Sequence, residues 1–199
     1  MSDLQCPARL LLARHGQAEY ESELLMDHGG TLTKQGRGQA RALGERLRSE
    51  NVAHVYASTL SRAVQTAELA AGVLGVDVTV REGLVEVGVG ELIGQPAGSG
   101  VYLPLLDKWV AGEVDARFPG GEAGAEIAER VALVLDDLAD RHRGETVLVV
   151  SHGGAILATL AVLARRRGTS QIGNCWYAAL ERDADGWRLA ADLTPLASS

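Results

Sequence analysis

Two histidines and two arginines stand directly after short apolar runs of the chain. Arg14-His15-Gly16 follows Ala8 to Ala13, Ser58 to Arg62 follows Val52 to Ala57, and Ser151-His152-Gly153-Gly154 follows Thr146 to Val150. These residue types suit one chemistry. A guanidinium offers planar, paired donors that fit a tetrahedral phosphate dianion, which makes Arg14 and Arg62 candidate phosphate ligands. An imidazole beside such cations has its protonated form disfavoured, so a ring nitrogen of His15 or His152 is left to attack phosphorus. The amides of Gly153 and Gly154, opening an apolar stretch, would add anion-binding donors. Each residue also has a plainer reading, as a loop pair, a core histidine at a strand end or a helix-surface charge.

These groups converge only if the runs before them are neighbouring strands. Ala8–Ala13, Val52–Ala57, Val76–Val80 and Thr146–Val150 are short, apolar and bounded by polar or glycine residues, as buried strands are. Helical spacing separates them, over Lys34–Glu50, Thr59–Leu74 and Glu122–Arg143 (Ile127, Val131, Val134, Leu135 and Leu138 inward), and again over Gly154–Arg166. Trp176–Glu181 and Trp187–Leu193 flank Asp183-Ala184-Asp185-Gly186, a hairpin signal. Alternating strands and helices predict an α/β three-layer sandwich, a mainly parallel sheet covered by helices on both faces. Ligands of open α/β sheets bind at the carboxyl ends of the strands, where all three polar clusters fall. A single domain over 1–199 is expected. Glu82–Gly121 is rich in glycine and proline, with one helical patch at Leu105–Ala111, and its part at about 91–121 reads as an irregular substrate-pocket insert.

With the order of the pieces in view, the chain resembles the histidine phosphatase superfamily, branch 1, the phosphoglycerate-mutase-like group. Leu-Leu-Ala-Arg14-His15-Gly16 looks like its signature. Leu32-Thr33-x-x-Gly36-x-x-Gln39-Ala40, Ser58-x-x-x-Arg62-Ala63-x-Gln65-Thr66-Ala67, Leu84-x-Glu86-x-x-x-Gly90, Pro119-Gly120-Gly121-Glu122 and Val150-Ser151-His152-Gly153-Gly154 follow in the family's order. The resemblance implies a phosphatase without metal or cofactor. His15 would be the nucleophile, Glu86 the general acid and then base, and Arg14, Arg62, His152 and Gly153 would hold the phosphoryl oxygens. Glu82 and Glu91 are rivals to Glu86 but miss the Leu-x-Glu-x-x-x-Gly frame. The chain departs from the family at Ala18 and Glu21, where many members carry Thr and Asn, and at Leu92 and Ile93, where Trp and Glu are frequent. A carboxylate at position 21 would repel phosphate, so Glu21 is expected to point away. Glu122 precedes Ala123 where the family often has Ser, and either satisfies backbone donors at a helix start or joins the site. His28 lies in a glycine-rich loop that could approach the pocket. Trp109 and Tyr102 could line the pocket or fill the core.

Composition narrows the partners. A formal charge of −7 argues against a nucleic-acid surface, and no segment has the ~18 to 20 continuous apolar residues of a membrane helix. Arg165-Arg166-Arg167 reads as charge complementing a helix C-terminus. The first residues lack a basic region followed by an apolar core, and Cys6 and Cys175 make no disulfide framework, so a cytoplasmic protein with reduced thiols is expected. The partner is then a small phosphomonoester, and the final strand with Trp187 could pack internally or form a homodimer. Between Glu91 and Gly121 the cations are Lys108 and Arg117, against Glu91, Asp107, Glu113 and Asp115, a mouth ill suited to the second phosphate of a mutase intermediate. A protein phosphohistidine phosphatase would need neither insert nor Glu86, and an inactive phospho-ligand binder would be expected to lack one of the four core residues.

Overall fold

The apolar run after Pro7 becomes strand β1 (Arg9–Arg14), with Leu10 to Ala13 fully buried. A strand buried on both faces needs a layer on each side and a neighbour on each edge. The structure, a computed structural model, describes residues 6–19, 24–25, 30–96, 100–183 and 186–196 and supplies both. Beside β1 lie β4 (Thr146–Ser151), parallel to it, and β5 (Tyr177–Asp183), antiparallel. With β2 (Val52–Ala57), β3 (Val78–Val80) and β6 (Gly186–Thr194) the sheet has six strands in the order β3-β2-β4-β1-β5-β6. The four strands from β3 to β1 are parallel, as expected. The sheet is nevertheless mixed: β5 runs antiparallel to β1, and Asp183 and Gly186 pair across a connection too short for a crossover, so β5 and β6 run antiparallel to each other.

Alternate residues of each strand serve opposite layers. Leu10, Leu12, Val147 and Val149 face α3 (Tyr102–Ala111), α4 (Gly124–Arg141) and α5 (Gly153–Leu163). Leu11, Ala13, Leu148 and Val150 face α1 (Lys34–Arg46) and α2 (Ser61–Leu74). The Thr33 side chain caps α1 by accepting from the Gly36 amide at 3.0 Å. Helix α1 ends at Arg46, earlier than its periodicity suggests, and a 3-10 turn over Arg48–Glu50 leads to Asn51, whose left-handed φ of 51° turns the chain into β2. Gly75, at φ 75°, ends α2 and donates its N–H to Ala71 O.

The C-terminal basic run is a correction. Helix α5 stops at Leu163, Arg165 has φ 50°, and Arg166 is buried against β6, its Nε 2.5 Å from Asp192 Oδ1. The guanidinium that serves the helix end is that of Arg167, donating to Ala161 O at 2.9 Å. Trp187 packs internally, its indole N–H donating to Asp136 on α4. Neither Cys6 nor Cys175 is in a disulfide. Among the described residues no helix is long and apolar enough to cross a membrane.

Candidate active site

Backbone pairing ties the three strand ends together. The His15 amide donates to Ser151 O at 3.0 Å and the Ser58 amide to Val150 O at 2.9 Å, which brings Arg14, His15, Ser58 and His152 to one edge. Gly16 turns the chain away under close contact, where a Cβ would stand 2.6 Å from Gly36 O, so only glycine fits between β1 and α1. Its amide donates to Thr66 Oγ1, and Thr66 donates in turn to Arg62 O, fixing the first turn of α2 beside His15.

The hydrogen bonds of His15 decide its tautomer. Nδ1 lies 2.7 Å from Gly16 O, and a carbonyl can only accept, so Nδ1 carries the proton. Arg62 Nε is 3.2 Å from Nε2, and a guanidinium can only donate, so Nε2 presents its lone pair. The imidazole is neutral and 2 % exposed. Burial first, then the charges of Arg14 and Arg62, hold its pKa well below the usual histidine range, against a smaller opposing pull from Gly16 O. The His152 ring centroid is 5.1 Å away, at 57° to it. Burial, then His15, Arg62, Arg14 and Arg130, likewise push the pKa of His152 well down. Its Nε2 meets Ser58 Oγ at 2.8 Å, and its buried Nδ1 has no hydrogen-bond partner among the described residues. Arg62 is buried, and Arg14 is half-buried with Nη1 donating to Ile172 O at 2.7 Å.

Glu86 reaches the same place from the segment after β3. Its carboxylate accepts from the amides of Val87, Gly154 and Ala155 at 2.9, 3.2 and 2.9 Å. The expectation that the Gly154 amide serves phosphate is therefore corrected: a carboxylate 68 residues away in sequence occupies that donor at the start of α5. Gly153 remains on the cavity wall next to Arg14. Glu82 and Glu91 are exposed and off the wall, so of the three candidate carboxylates Glu86 alone joins the cluster. Glu122 also stays outside, accepting from the Gly88 amide and from Arg130. Burial works to raise its pKa, but the Arg130 and Gly88 hydrogen bonds outweigh it, and the net shift is downward.

Arg14, His15, Arg62, Glu86 and Gly153 line an open cavity of about 560 Å³ whose far wall comes from α3 and the loop before β5. Tyr102 lines it and stacks on Phe118, with centroids 5.5 Å apart. Trp109 is core, fully buried, its indole N–H donating to Ala116 O. Glu21 and His28 lie outside the described residues.

Over residues 10–192 the sequence matches the family model of the histidine phosphatase superfamily (branch 1). The chain belongs to that superfamily. A curated relative named "Probable phosphoglycerate mutase GpmB", from Salmonella choleraesuis, is 31% identical over 191 residues, covering 90% of this chain and 87% of the relative. Bacillus stearothermophilus YhfR superposes with a TM-score of 0.77 at 26% identity, over 93% of this chain and 96% of that one. A mycobacterial glucosyl-3-phosphoglycerate phosphatase in complex with VO3 gives 0.78 at 25% identity, over 92% and 97%.

In this superfamily member one arginine escaped the sequence reading. Arg130, on α4, donates to Gly83 O, Val85 O and Glu86 O at 2.9 to 3.1 Å and pairs with Glu122. It grips the backbone that carries Glu86. Its one sequence signal is a charge on a helix whose neighbouring residues face inward. Asn174, whose side-chain amide donates to His15 O at 3.3 Å, lies in a loop without periodicity, and Trp176 on the cavity wall reads in the sequence only as the start of a strand.

Proposed function

We propose that the chain is a metal-independent phosphatase that hydrolyses small-molecule phosphomonoesters through a phosphohistidine on His15. The observation that carries this reading is the tautomer of His15, with Nδ1–H bound to Gly16 O and Nε2 unprotonated, accepting from the Arg62 guanidinium. Nε2 attacks phosphorus in line, an N–P bond forms, and the P–O bond to the alcohol breaks. Glu86 supplies the proton that the leaving alkoxide takes. Arg14, Arg62 and His152 hold the three phosphoryl oxygens, and the two guanidinium charges offset the charge of the transferring group without a metal ion. Water then attacks phosphorus, Glu86 takes its proton, the N–P bond breaks and inorganic phosphate leaves. An acidic chain with two thiols outside any disulfide suits a reducing cytoplasm.

The name of the Salmonella relative favours a second reading, phosphoglycerate mutation. A mutase must hold a substrate carboxylate and a second phosphate, and among the described residues of the cavity wall the cations are Arg14 and Arg62. Hydrolysis is therefore preferred. A phosphohistidine phosphatase is disfavoured because Glu86 is built into the site.

The test is hydrolysis of p-nitrophenyl phosphate with EDTA, comparing wild type with His15→Ala. Activity is expected to survive the chelator and to fall by about 10³-fold or more in the variant. Activity that EDTA abolishes, or that His15→Ala retains, would overturn the reading.

A further inference from the structure

The phosphate end of the cavity and its outer end are made of different material. The outer walls carry Val87, Val89, Tyr102, Leu106, Ile172 and Trp176. Two leucines stand at the rim and remain substantially exposed, Leu24 at 43% and Leu103 at 62%. Large apolar side chains left in water at the mouth of a cavity mark a surface that gains when a ligand covers it. The other outer residues, Ser170 and Gln171, are uncharged. The insert's two cations serve elsewhere: Arg117 pairs with Glu126 at 2.9 Å, and Lys108 is exposed and off the wall. A substrate carboxylate or second phosphate in this space would lose water without gaining a described cation, a costly exchange.

We propose that the alcohol half of the substrate is apolar, an aryl or medium-length alkyl group bearing a single phosphate and no second charge. This rests on the phosphatase reading above and names the substrate class for the same site. The phosphate is gripped at the strand ends, and the apolar group lies along α3 between Tyr102, Leu106 and Trp176. Affinity on that side comes from area removed from water, so it grows with the length of the chain and does not depend on placing hydroxyls.

Ethyl, butyl and hexyl phosphate test this, because all three expel a primary alkoxide and differ only in apolar area. The expected kcat/KM rises roughly two- to fourfold per added methylene until the wall is covered. Phosphoserine and 3-phosphoglycerate, which add a carboxylate, should lie at least about tenfold below butyl phosphate. Leu103→Lys, at an exposed position, should flatten the alkyl series and raise turnover of 3-phosphoglycerate. In parallel, binding of the matching alkylphosphonates is followed by calorimetry. Esters that are hydrolysed with a flat or falling series would overturn the apolar class and leave the phosphatase reading standing. Phosphonates that bind tighter with length, while no ester turns over, would support the apolar mouth and overturn the phosphatase reading instead.

Discussion

Among the described residues there are two histidine pairs. His15 and His152 have ring centroids 5.1 Å apart, and His54 and His142 have theirs 6.0 Å apart. Both pairs also have an arginine close by: Arg62 donates to His15, and Arg81 lies over the Tyr56 ring, 5.4 Å from its centroid, beside His54. Proximity and charge are thus nearly shared, and what differs is the partner of each nitrogen. His142 is occupied at both, Nε2 by the Tyr56 hydroxyl at 2.9 Å and Nδ1 by the Glu145 carboxylate at 2.7 Å. His54 Nε2 meets Thr79 Oγ1 at 2.9 Å. His15 instead spends Nδ1 on a carbonyl and turns Nε2 toward a donor at the wall of a cavity. A histidine becomes a candidate nucleophile when its second nitrogen is unprotonated at the wall of a cavity and the surroundings keep it neutral.

The widest separation between the pairs should come from their arginines. Arg62→Met is expected to lower kcat/KM by about 10² to 10³-fold, the usual effect of removing one oxyanion donor. It should also move the acid limb of the pH–rate profile upward, since Arg62's charge helps to hold the pKa of His15 down. Arg81→Met should leave both unchanged, and a shared response would erase the contrast between the pairs.

Arg130 gives a smaller effect with a sharper signature. Arg130→Lys cannot span three carbonyls and Glu122 together, so Glu86 loses its placement. Turnover of an alkyl phosphate is expected to fall roughly tenfold, a partial loss of the ~10² to 10⁴-fold that a placed general acid contributes, and that of p-nitrophenyl phosphate much less, because nitrophenolate leaves without a proton. Equal losses on both esters would make Arg130 a purely structural residue.

Acid stability measures how deeply the first pair is set. Both histidines have folded pKa values well below their unfolded values, so above about pH 6.5 neither contributes to the pH dependence. As pH falls below that point the unfolded chain takes up protons that the folded chain refuses. Stability should then drop by roughly 1 kcal/mol per pH unit for each group until the folded values are reached. Urea midpoints at pH 7, 6 and 5 would show it, and His15→Asn should remove about half the slope. The smallest effect belongs to the second pair: Tyr56→Phe removes one hydrogen bond to His142 and should cost about 1 kcal/mol in urea unfolding, with activity untouched.

Much of the phosphate end could be read in the sequence because it is local. Arg14, His15 and His152 adjoin buried strands, and strand ends of a parallel sheet converge whatever the loops do. Glu86 was found through its motif frame, but its anchorage on Gly154 and Ala155 depends on how a loop folds across 68 residues. Arg130 acts over a similar gap. Tyr102 and Trp109 sit seven positions apart on α3, on one face about two turns from each other, and which of them reaches the cavity depends on how the helix is placed along its axis, which no local pattern specifies. The antiparallel β5 and β6 were visible as a hairpin, while their docking onto β1 was not.

The order of the strands also has a consequence in time. β1 and β4 occupy the middle of the sheet, each bonded on both sides, whereas β6 is an edge. The amides of such central strands exchange with solvent only when the sheet opens as a whole, and those of an edge strand by local fraying. The backbone that carries His15 and His152 therefore runs on the slowest clock in the molecule, and a phosphate bound there would meet the same fixed geometry at each turnover.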